Sequence, residues 1–143
     1  MTKRILVPLG ERERDEAIVP LVGALARESG ATVRLLRVCP VPEVIVGDNG
    51  RVVAYVNQEM DRLNREGLGQ LKAAELPLDG VPVEHVVRFG APVEEILLEA
   101  EAWGADLIAL TTSARGRLWH AISPGVADRV SRQAATPTLA LRA

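Results

Sequence analysis

The fold of this protein is decided by residues 4–38, which read RILVPLGERERDEAIVPLVGALARESGATVRLLRV. Residues 4–9 form a short apolar run that predicts a buried strand. Residues 15–29 carry apolar side chains at helical spacing, and residues 32–38 predict a second strand. Two strands separated by one helix run parallel with a right-handed crossover, so the stretch predicts a β-α-β unit.

The ends of the first helix carry recognisable signals. Asp15 is the predicted N-cap, and Gly30 is the residue predicted to end the helix. Pro20 is compatible with a helix whose first regular turn begins around residues 16–19, because a proline there loses no helical hydrogen bond.

The same alternation of strand and helix continues along the chain. The further predicted elements are a helix over 56–74, a strand over 81–88, a helix from Pro92 to Gly104, a strand over 106–111, a helix capped by Ser123-Pro124 and a strand over 136–142. Residues 44–46 and 51–53 are open to a second interpretation, a small hairpin across the turn between them. The pattern predicts a doubly wound, five-stranded parallel α/β sheet with helices on both faces, strand order 3-2-1-4-5 and one domain over 1–143.

Composition excludes several functional classes. The 143 residues are 48% hydrophobic and 3% aromatic, so the core must be aliphatic. The net charge of −2 lacks the basic excess that is typical of nucleic-acid binders. No apolar run is long enough for a membrane span or a signal peptide, and the single Cys39 allows no intrachain disulfide. We therefore expect a cytoplasmic protein.

Few residues are suited to catalysis. The sequence holds no P-loop, no Cys-x-x-Cys and no Gly-x-Ser-x-Gly pattern. His85 alternates with valines and is interpreted as a packed, hydrogen-bonded histidine, and Cys39 as a structural thiol. His120, beside Trp119, is interpreted as a surface or interface residue. No metal site and no enzymatic activity are predicted.

Two groups of charged residues receive a structural interpretation as well. The acidic pairs Glu94-Glu95 and Glu99-Glu101 are expected to be solvated on helix faces. Residues 11–15 (Glu-Arg-Glu-Arg-Asp) are expected to form a charged, solvated turn, with ligand contact as the alternative.

A ligand crevice is expected where the strand order reverses, beyond the carboxyl ends of the first and fourth strands. The segments that meet there are 8–15, 38–41 and 111–126. Residues 112–123 are predicted as a loop that leads into a helix N-terminus, whose backbone N–H groups suit phosphate. Arg115 and Arg117 add positive charge to that loop.

Several segments resemble the universal stress protein family, in order and over essentially the whole chain. They are Ile5-Leu6-Val7-Pro8-Leu9, Leu25–Ala31 with Leu35–Val38, Gly90-Ala91-Pro92, Ala105-Asp106-Leu107-Ile108, Val126–Val130 and Thr136–Leu139. The resemblance implies a regulatory or protective role in the stress response, exerted through protein contacts and dimerisation.

Many members of that family bind ATP through a sequence motif. In this motif a glycine is followed by two residues, a second glycine, nine further residues, a third glycine and then a serine or threonine. When the motif is aligned with this chain without gaps, its four conserved positions are occupied by Thr111, Ala114, Pro124 and Gly125. None of these is the residue that the motif expects. Gly10 stands where the family has an aspartate that meets the adenine. The degenerate motif predicts weak ATP binding and no bound cofactor.

The crevice nevertheless has candidate contact residues, which are Gly10, Val38, Thr111, Thr112, Ser113, Ala114, Arg115, Gly125 and Val126. They support an alternative, a nucleotide-binding protein of this family with a rewritten phosphate loop for ATP, another nucleotide or a small anion. A third interpretation, an enzyme acting on a phosphorylated metabolite, lacks a base, nucleophile or metal cluster.

The last predicted strand favours a homodimer. It lies close to the end of the sequence, so its outer edge is expected to be open and to pair with a second copy. Leu139 and Leu141 would lie on one face, and Thr138 and Ala140 on the other. The alternative is an edge covered by the 112–123 loop.

Overall fold

The computed structural model describes residues 2–42, 52–112 and 125–143. Its strands are β1 (Arg4–Pro8), β2 (Thr32–Cys39), β3 (Val83–Phe89), β4 (Leu107–Thr112) and β5 (Thr138–Arg142). Its α-helices are α1 (Val19–Ser29), α2 (Val52–Ala74), α3 (Pro92–Trp103) and α4 (Val126–Gln133). Two 3₁₀ turns, Glu13–Ile18 and Leu76–Leu78, precede α1 and follow α2.

The strands form one parallel sheet in the order β3-β2-β1-β4-β5, which confirms the predicted fold class and strand order. Ile5 of β1 lies between Val33 of β2 and Leu107 of β4. The order reverses at β1, because β2 and β3 lie on one side of β1, whereas β4 and β5 lie on the other side. A crevice at the carboxyl ends of β1 and β4 follows from this reversal.

Helices cover both faces of the sheet. Alternate residues of β1 and β2 pack on opposite sides, so Ile5 and Val33 contact the side of α1 and α2 while Leu6 and Leu36 contact the side of α3 and α4. Each of these four side chains is fully buried. A strand that is buried on both faces needs a continuous apolar run, which is why residues 4–9 show no alternation of apolar and polar side chains.

The start of the first helix differs from the prediction. Asp15 is not its N-cap, because residues 13–18 form a 3₁₀ turn and α1 begins only at Val19, with Ile18 as its cap. Pro20 therefore lies in the first turn of α1, as its missing N–H requires. Gly30 ends the helix with φ 72°, which confirms its predicted role.

Two further expectations about helix starts are corrected. The N-cap of α4 is Gly125 and not Ser123, which lies with Pro124 outside the described residues. The hairpin interpretation is wrong for Val52 and Val53, which are already helical in α2, and its other strand lies outside the described part of the chain.

β3 and β5 each begin two residues later than predicted, at Val83 and Thr138. A proline precedes each of them and offers no N–H to the ladder. The carbonyls of both prolines still accept hydrogen bonds, since Val33 donates to Pro82 and Ile108 donates to Pro137, each at 2.9 Å.

The acidic residues of α3 are not all solvated as expected. Glu99 is 5% exposed and accepts hydrogen bonds from Arg34 at 2.7 Å and from Arg88 at 3.0 Å. Glu95 accepts a third bond from Arg88 at 2.9 Å. The hydrogen bond to Glu95, supported by that to Glu99, raises the pKa of Arg88 above its usual value. The i, i+4 spacing of the two glutamates lets α3 cover two arginines on adjacent strands.

Two other side chains match their structural interpretation. His85 lies 3.0 Å from Glu75, measured from Nε2 to Oε2, and its side chain is 26% exposed. Cys39 is a buried free thiol. Among the residues described, no helix has the length and apolarity to cross a membrane.

Candidate functional site

A crevice of about 470 Å³ opens at the carboxyl edge of the sheet. Its inner wall is apolar and comes from β2, α3 and β4 through Leu36, Ile96 and Leu110. Its rim consists of the end of β1, the following turn and the first turn of α4. The crevice therefore lies on the face of the sheet that α3 and α4 cover, at the point where the strand order reverses.

Six of the nine candidate contact residues line this crevice. They are Gly10, Val38, Thr111, Thr112, Gly125 and Val126. The other three, Ser113, Ala114 and Arg115, lie outside the described residues, as do Arg117 and His120. The strand ends and the helix start thus converge, whereas the loop between them is not described.

Thr111 has a structural function that the sequence did not predict. Its hydroxyl donates a hydrogen bond to the main-chain carbonyl of Asp15 at 2.9 Å and accepts one from the N–H of Ile18 at 3.1 Å. Both bonds join the end of β4 to the 3₁₀ turn. Because its single O–H is already donated to Asp15, this hydroxyl is a poor candidate to donate to a ligand phosphate.

The carboxylate of Asp15 fills the space beside Gly10. A Cβ atom placed on Gly10 would lie 2.4 Å from Oδ2 of Asp15 and 3.3 Å from its Cγ. Asp15 is held there because its Oδ2 accepts a hydrogen bond from the N–H of Arg12 at 3.2 Å. Gly10 and Asp15 thus lie side by side in the crevice lining, and the carboxylate comes from five positions later in the sequence.

Four charged residues line the crevice in the described part of the chain, and their charges balance. Arg12 and Arg142 are positive, and Asp15 and Asp128 are negative. Asp128 lies in the first turn of α4, where a carboxylate stabilises the partial positive charge of the helix N-terminus. Asp128 and Arg142 were not among the predicted residues, although the parallel register pairs Arg142 with Thr112 and so brings it to the same edge.

The turn at residues 11–15 is not simply solvated. Arg12 and Asp15 line the crevice, as the ligand-contact alternative requires. Glu11 is exposed, but it forms an ion pair of 2.9 Å with Arg37, whose side chain is 9% exposed. The turn therefore neutralises a buried cation and also borders the crevice.

The charged side chains in the described lining of the crevice are those of Arg12, Asp15, Asp128 and Arg142. No histidine or cysteine is among the described lining residues. In residues 2–42, 52–112 and 125–143, no group of three or more histidine, cysteine or acidic side chains could hold a metal ion.

Comparison with known proteins agrees with this geometry. The model of the universal stress protein family matches residues 1–142. The universal stress protein MJ0577 of Methanocaldococcus jannaschii is 24% identical over 155 residues, which covers 99% of this chain and 96% of that protein. A solved structure of MJ0577 has a TM-score of 0.82 at 25% identity and covers 100% of this chain and 97% of its own.

Two more distant structures share the fold. A universal stress protein in complex with cAMP has a TM-score of 0.65 at 20% identity, covering 99% of this chain and 97% of its own. An Archaeoglobus fulgidus universal stress protein in complex with dAMP has a TM-score of 0.59 at 15% identity, covering 98% and 97%. Because the family model matches residues 1–142 and the fold superimposes on a solved structure of MJ0577 with a TM-score of 0.82, this chain belongs to the universal stress protein family.

Proposed function

We propose that this single domain is a cytoplasmic regulator of the stress response that acts through contacts between protein chains and does not hold ATP tightly. The observation that carries the proposal is the charge balance of the crevice. Two arginines and two aspartates line it, so the described lining offers no net positive charge to a triphosphate.

The position of Asp128 strengthens this expectation. A helix N-terminus binds phosphate because its first N–H groups lack partners and its partial charge is positive. In α4 the carboxylate of Asp128 lies in that same first turn and borders the crevice. It repels an incoming phosphate and stabilises the helix end by itself.

The experiment that tests this proposal is calorimetric titration with Mg-ATP. We expect a dissociation constant weaker than about 100 μM, which corresponds to a binding free energy of about −5.5 kcal/mol or less favourable. Asp128→Asn should bind ATP about fivefold more tightly, since removal of one neighbouring charge is worth roughly 1 kcal/mol. Asp61→Asn, at an exposed position of α2, controls for the change in net charge. A low-micromolar constant for the unaltered protein would contradict the proposal.

A second candidate function is the binding of a nucleoside monophosphate, which carries less charge than ATP. The specific observation that favours it is the presence of Arg12 and Arg142 on the crevice rim. The solved universal stress proteins in complex with cAMP and dAMP contain nucleotides of about the size of a nucleoside monophosphate, which supports this candidate. Titration with AMP distinguishes this candidate from a crevice that binds no nucleotide.

The proposed contacts between chains include a homodimer through β5. β5 is the last strand in the sheet order, and its outer side pairs with no strand of the described residues. Leu139 and Leu141 are partly buried on the face that α1 covers. Leu21 and Leu25 of α1 remain 40% and 38% exposed.

We propose that Leu21 and Leu25 belong to the same contact surface as β5. α1 contacts the 3₁₀ turn Leu76–Leu78 through Gly23 and Arg27, so Leu21 and Leu25 lie on another side of the helix, where they are exposed. A second copy that pairs antiparallel with β5 would satisfy the open strand edge and cover this surface at once.

A further inference from the structure

Two consecutive residues of the turn after β1 reach opposite sides of the sheet. Arg12 lines the crevice, which lies on the side of α3 and α4. Glu11 forms an ion pair of 2.9 Å with Arg37, measured from Oε1 to Nη2. Arg37 lies on the side of α1 and α2, because it follows the core residue Leu35 by two positions in β2, and a Cβ added to Gly67 of α2 would lie 3.4 Å from its Cγ. The turn therefore spans the edge of the sheet.

We infer that the ion pair between Glu11 and Arg37 positions Arg12, and that Arg12 is the residue of this turn that binds the anionic group of a crevice ligand. The inference rests on the second candidate function, the binding of a nucleoside monophosphate, whose phosphate is the anionic group concerned. Glu11 and Arg37 are positioning residues, since neither belongs to the described lining of the crevice and both act through Arg12.

The burial of Arg37 explains why this ion pair fixes the turn. The side chain of Arg37 is 9% exposed, whereas that of Glu11 is 81% exposed. An exposed glutamate without a partner moves among several rotamers, but a buried cation that loses its counter-charge is strongly destabilising. The Glu11 side chain is therefore kept directed toward α2.

The backbone of Arg12 is fixed by the following residues of the turn. Its N–H donates to Oδ2 of Asp15 at 3.2 Å, and its carbonyl accepts the N–H of Asp15 at 2.9 Å. Arg12 is extended, with φ −85° and ψ 136°. Successive side chains of extended backbone point to opposite sides, so a Glu11 side chain that is directed toward α2 leaves that of Arg12 directed toward the crevice.

The chemistry of Arg12 suits a phosphate group. A guanidinium is permanently charged and presents five N–H donors in a planar fork, which matches the oxygens of a phosphate. The side chain of Arg12 is exposed, so it loses conformational freedom when it binds. A turn that is fixed in advance reduces this loss. The ion pair therefore contributes to the affinity for the phosphate and not to the affinity for the uncharged part of the ligand.

AMP and adenosine provide a matched pair of probes, because they differ only by the phosphate. In calorimetry with both probes, Arg12→Gln should lower the affinity for AMP about tenfold, the loss of one hydrogen bond to a charged group, and leave that for adenosine unchanged. Glu11→Gln should lower the affinity for AMP about fivefold, the cost of ordering one long side chain, and also leave adenosine unchanged.

The sign of the effect separates positioning from charge. Glu11→Gln removes a negative charge, which by charge alone would strengthen the binding of AMP. Glu13→Gln makes the same charge change at an exposed position of the same turn, and the affinity for AMP should stay unchanged or rise at most about twofold. Arg37→Met breaks the ion pair from its other end with the opposite charge change, and it should weaken AMP binding as Glu11→Gln does. The melting temperature checks that each variant is folded.

A double-mutant cycle tests whether Glu11 acts through Arg12. The combination of Glu11→Gln with Arg12→Gln should bind AMP as weakly as Arg12→Gln alone, because the position of the turn no longer matters once the guanidinium is absent. Independent effects would instead multiply to a loss of about fiftyfold, and this result would overturn the positioning role.

The outcomes distinguish this inference from the proposed function. An affinity for AMP that Glu11→Gln or Arg12→Gln leaves unchanged or raises overturns the inference and leaves nucleotide binding intact. A parallel loss for AMP and adenosine in Glu11→Gln indicates general damage to the crevice and overturns it as well. Binding of neither probe overturns the inference together with the second candidate function, while the proposal of weak ATP binding remains.

Discussion

The hydroxyl of Thr111 donates a hydrogen bond of 2.9 Å to the main-chain carbonyl of Asp15, a residue 96 positions away in the sequence. Together with the bond that it accepts from Ile18, this contact attaches the turn after β1 to the end of β4. The two strands on either side of the reversal in strand order are thereby connected at the crevice.

Thr111→Val removes both bonds while it preserves the shape of the side chain. The carbonyl of Asp15 and the N–H of Ile18 then lose a part-buried partner, and the free energy of unfolding should fall by about 1–2 kcal/mol. Urea denaturation measures the change. Thr138→Val is the matched control, since the Thr138 hydroxyl makes only a long contact of 3.4 Å. A loss no larger than that of the control would contradict the role of Thr111.

Glu99→Ala tests the buried ion pairs on the other side of the sheet. It leaves Arg34 and Arg88 without their shared acceptor, although Glu84 and Glu95 still bind them. The guanidinium of Arg34 also lies 4.4 Å from the centre of the Trp103 ring.

Because both arginines are partly exposed, we expect Glu99→Ala to lower stability by about 2 kcal/mol, less than the loss of a fully buried partner. Glu101→Ala, an exposed position of the same helix, should change stability by less than about 0.5 kcal/mol. Thermal and urea unfolding measure both variants. If the free energy of unfolding of Glu99→Ala equals that of the unaltered protein, water replaces the ion pairs of Glu99 without loss of stability.

Asp106 predicts a pH dependence of stability. Its Oδ2 accepts the N–H groups of Lys3 and Arg4 at 2.8 and 2.9 Å, and these bonds lower the pKa of Asp106 below its ordinary value of 3.8. A lowered pKa in the folded state gives stability that is present above pH 3.8 and is lost as the pH falls through the folded pKa.

Asp106→Asn should therefore flatten the acid limb of a stability profile measured below pH 5 or so, where native carboxylates take up protons. Asp61→Asn, at an exposed position of α2, is the comparison. If the acid limb of Asp106→Asn coincides with that of the unaltered protein, the two backbone bonds do not contribute.

The homodimer is tested by light scattering at micromolar concentration. We expect a mass about twice the chain mass of 15.4 kDa. The double variant Leu21→Glu with Leu25→Glu places charges on the proposed contact surface and should give a monomer, because like charges would meet across the two-fold axis. Leu98→Glu, at a 50% exposed position of α3, should remain a dimer. A monomeric unaltered protein would refute the pairing through β5.

The amino-acid sequence by itself determined the sheet and the location of the crevice. The apolar run at residues 4–9, the left-handed Gly30 and the regular return of helical spacing are local signals, and they predict alternating strands and helices and hence a parallel sheet with right-handed crossovers. Right-handed crossovers permit more than one strand order, so the observed order belongs to the tertiary structure. Because the carboxyl ends of parallel strands meet at one edge of a sheet, the sequence places Gly10, Val38, Thr111 and Gly125 there, and all four line the crevice.

What the crevice contains was decided by tertiary structure. Asp15 fills the space at Gly10 only because the 3₁₀ turn brings it back onto β1, and no local pattern reveals that approach. Arg142 reaches the crevice through its register with Thr112, and Glu99 is buried because α3 lies over two arginines from other strands. Propensity and periodicity describe neighbours along the chain, whereas these contacts join side chains that are close only when the sheet has formed.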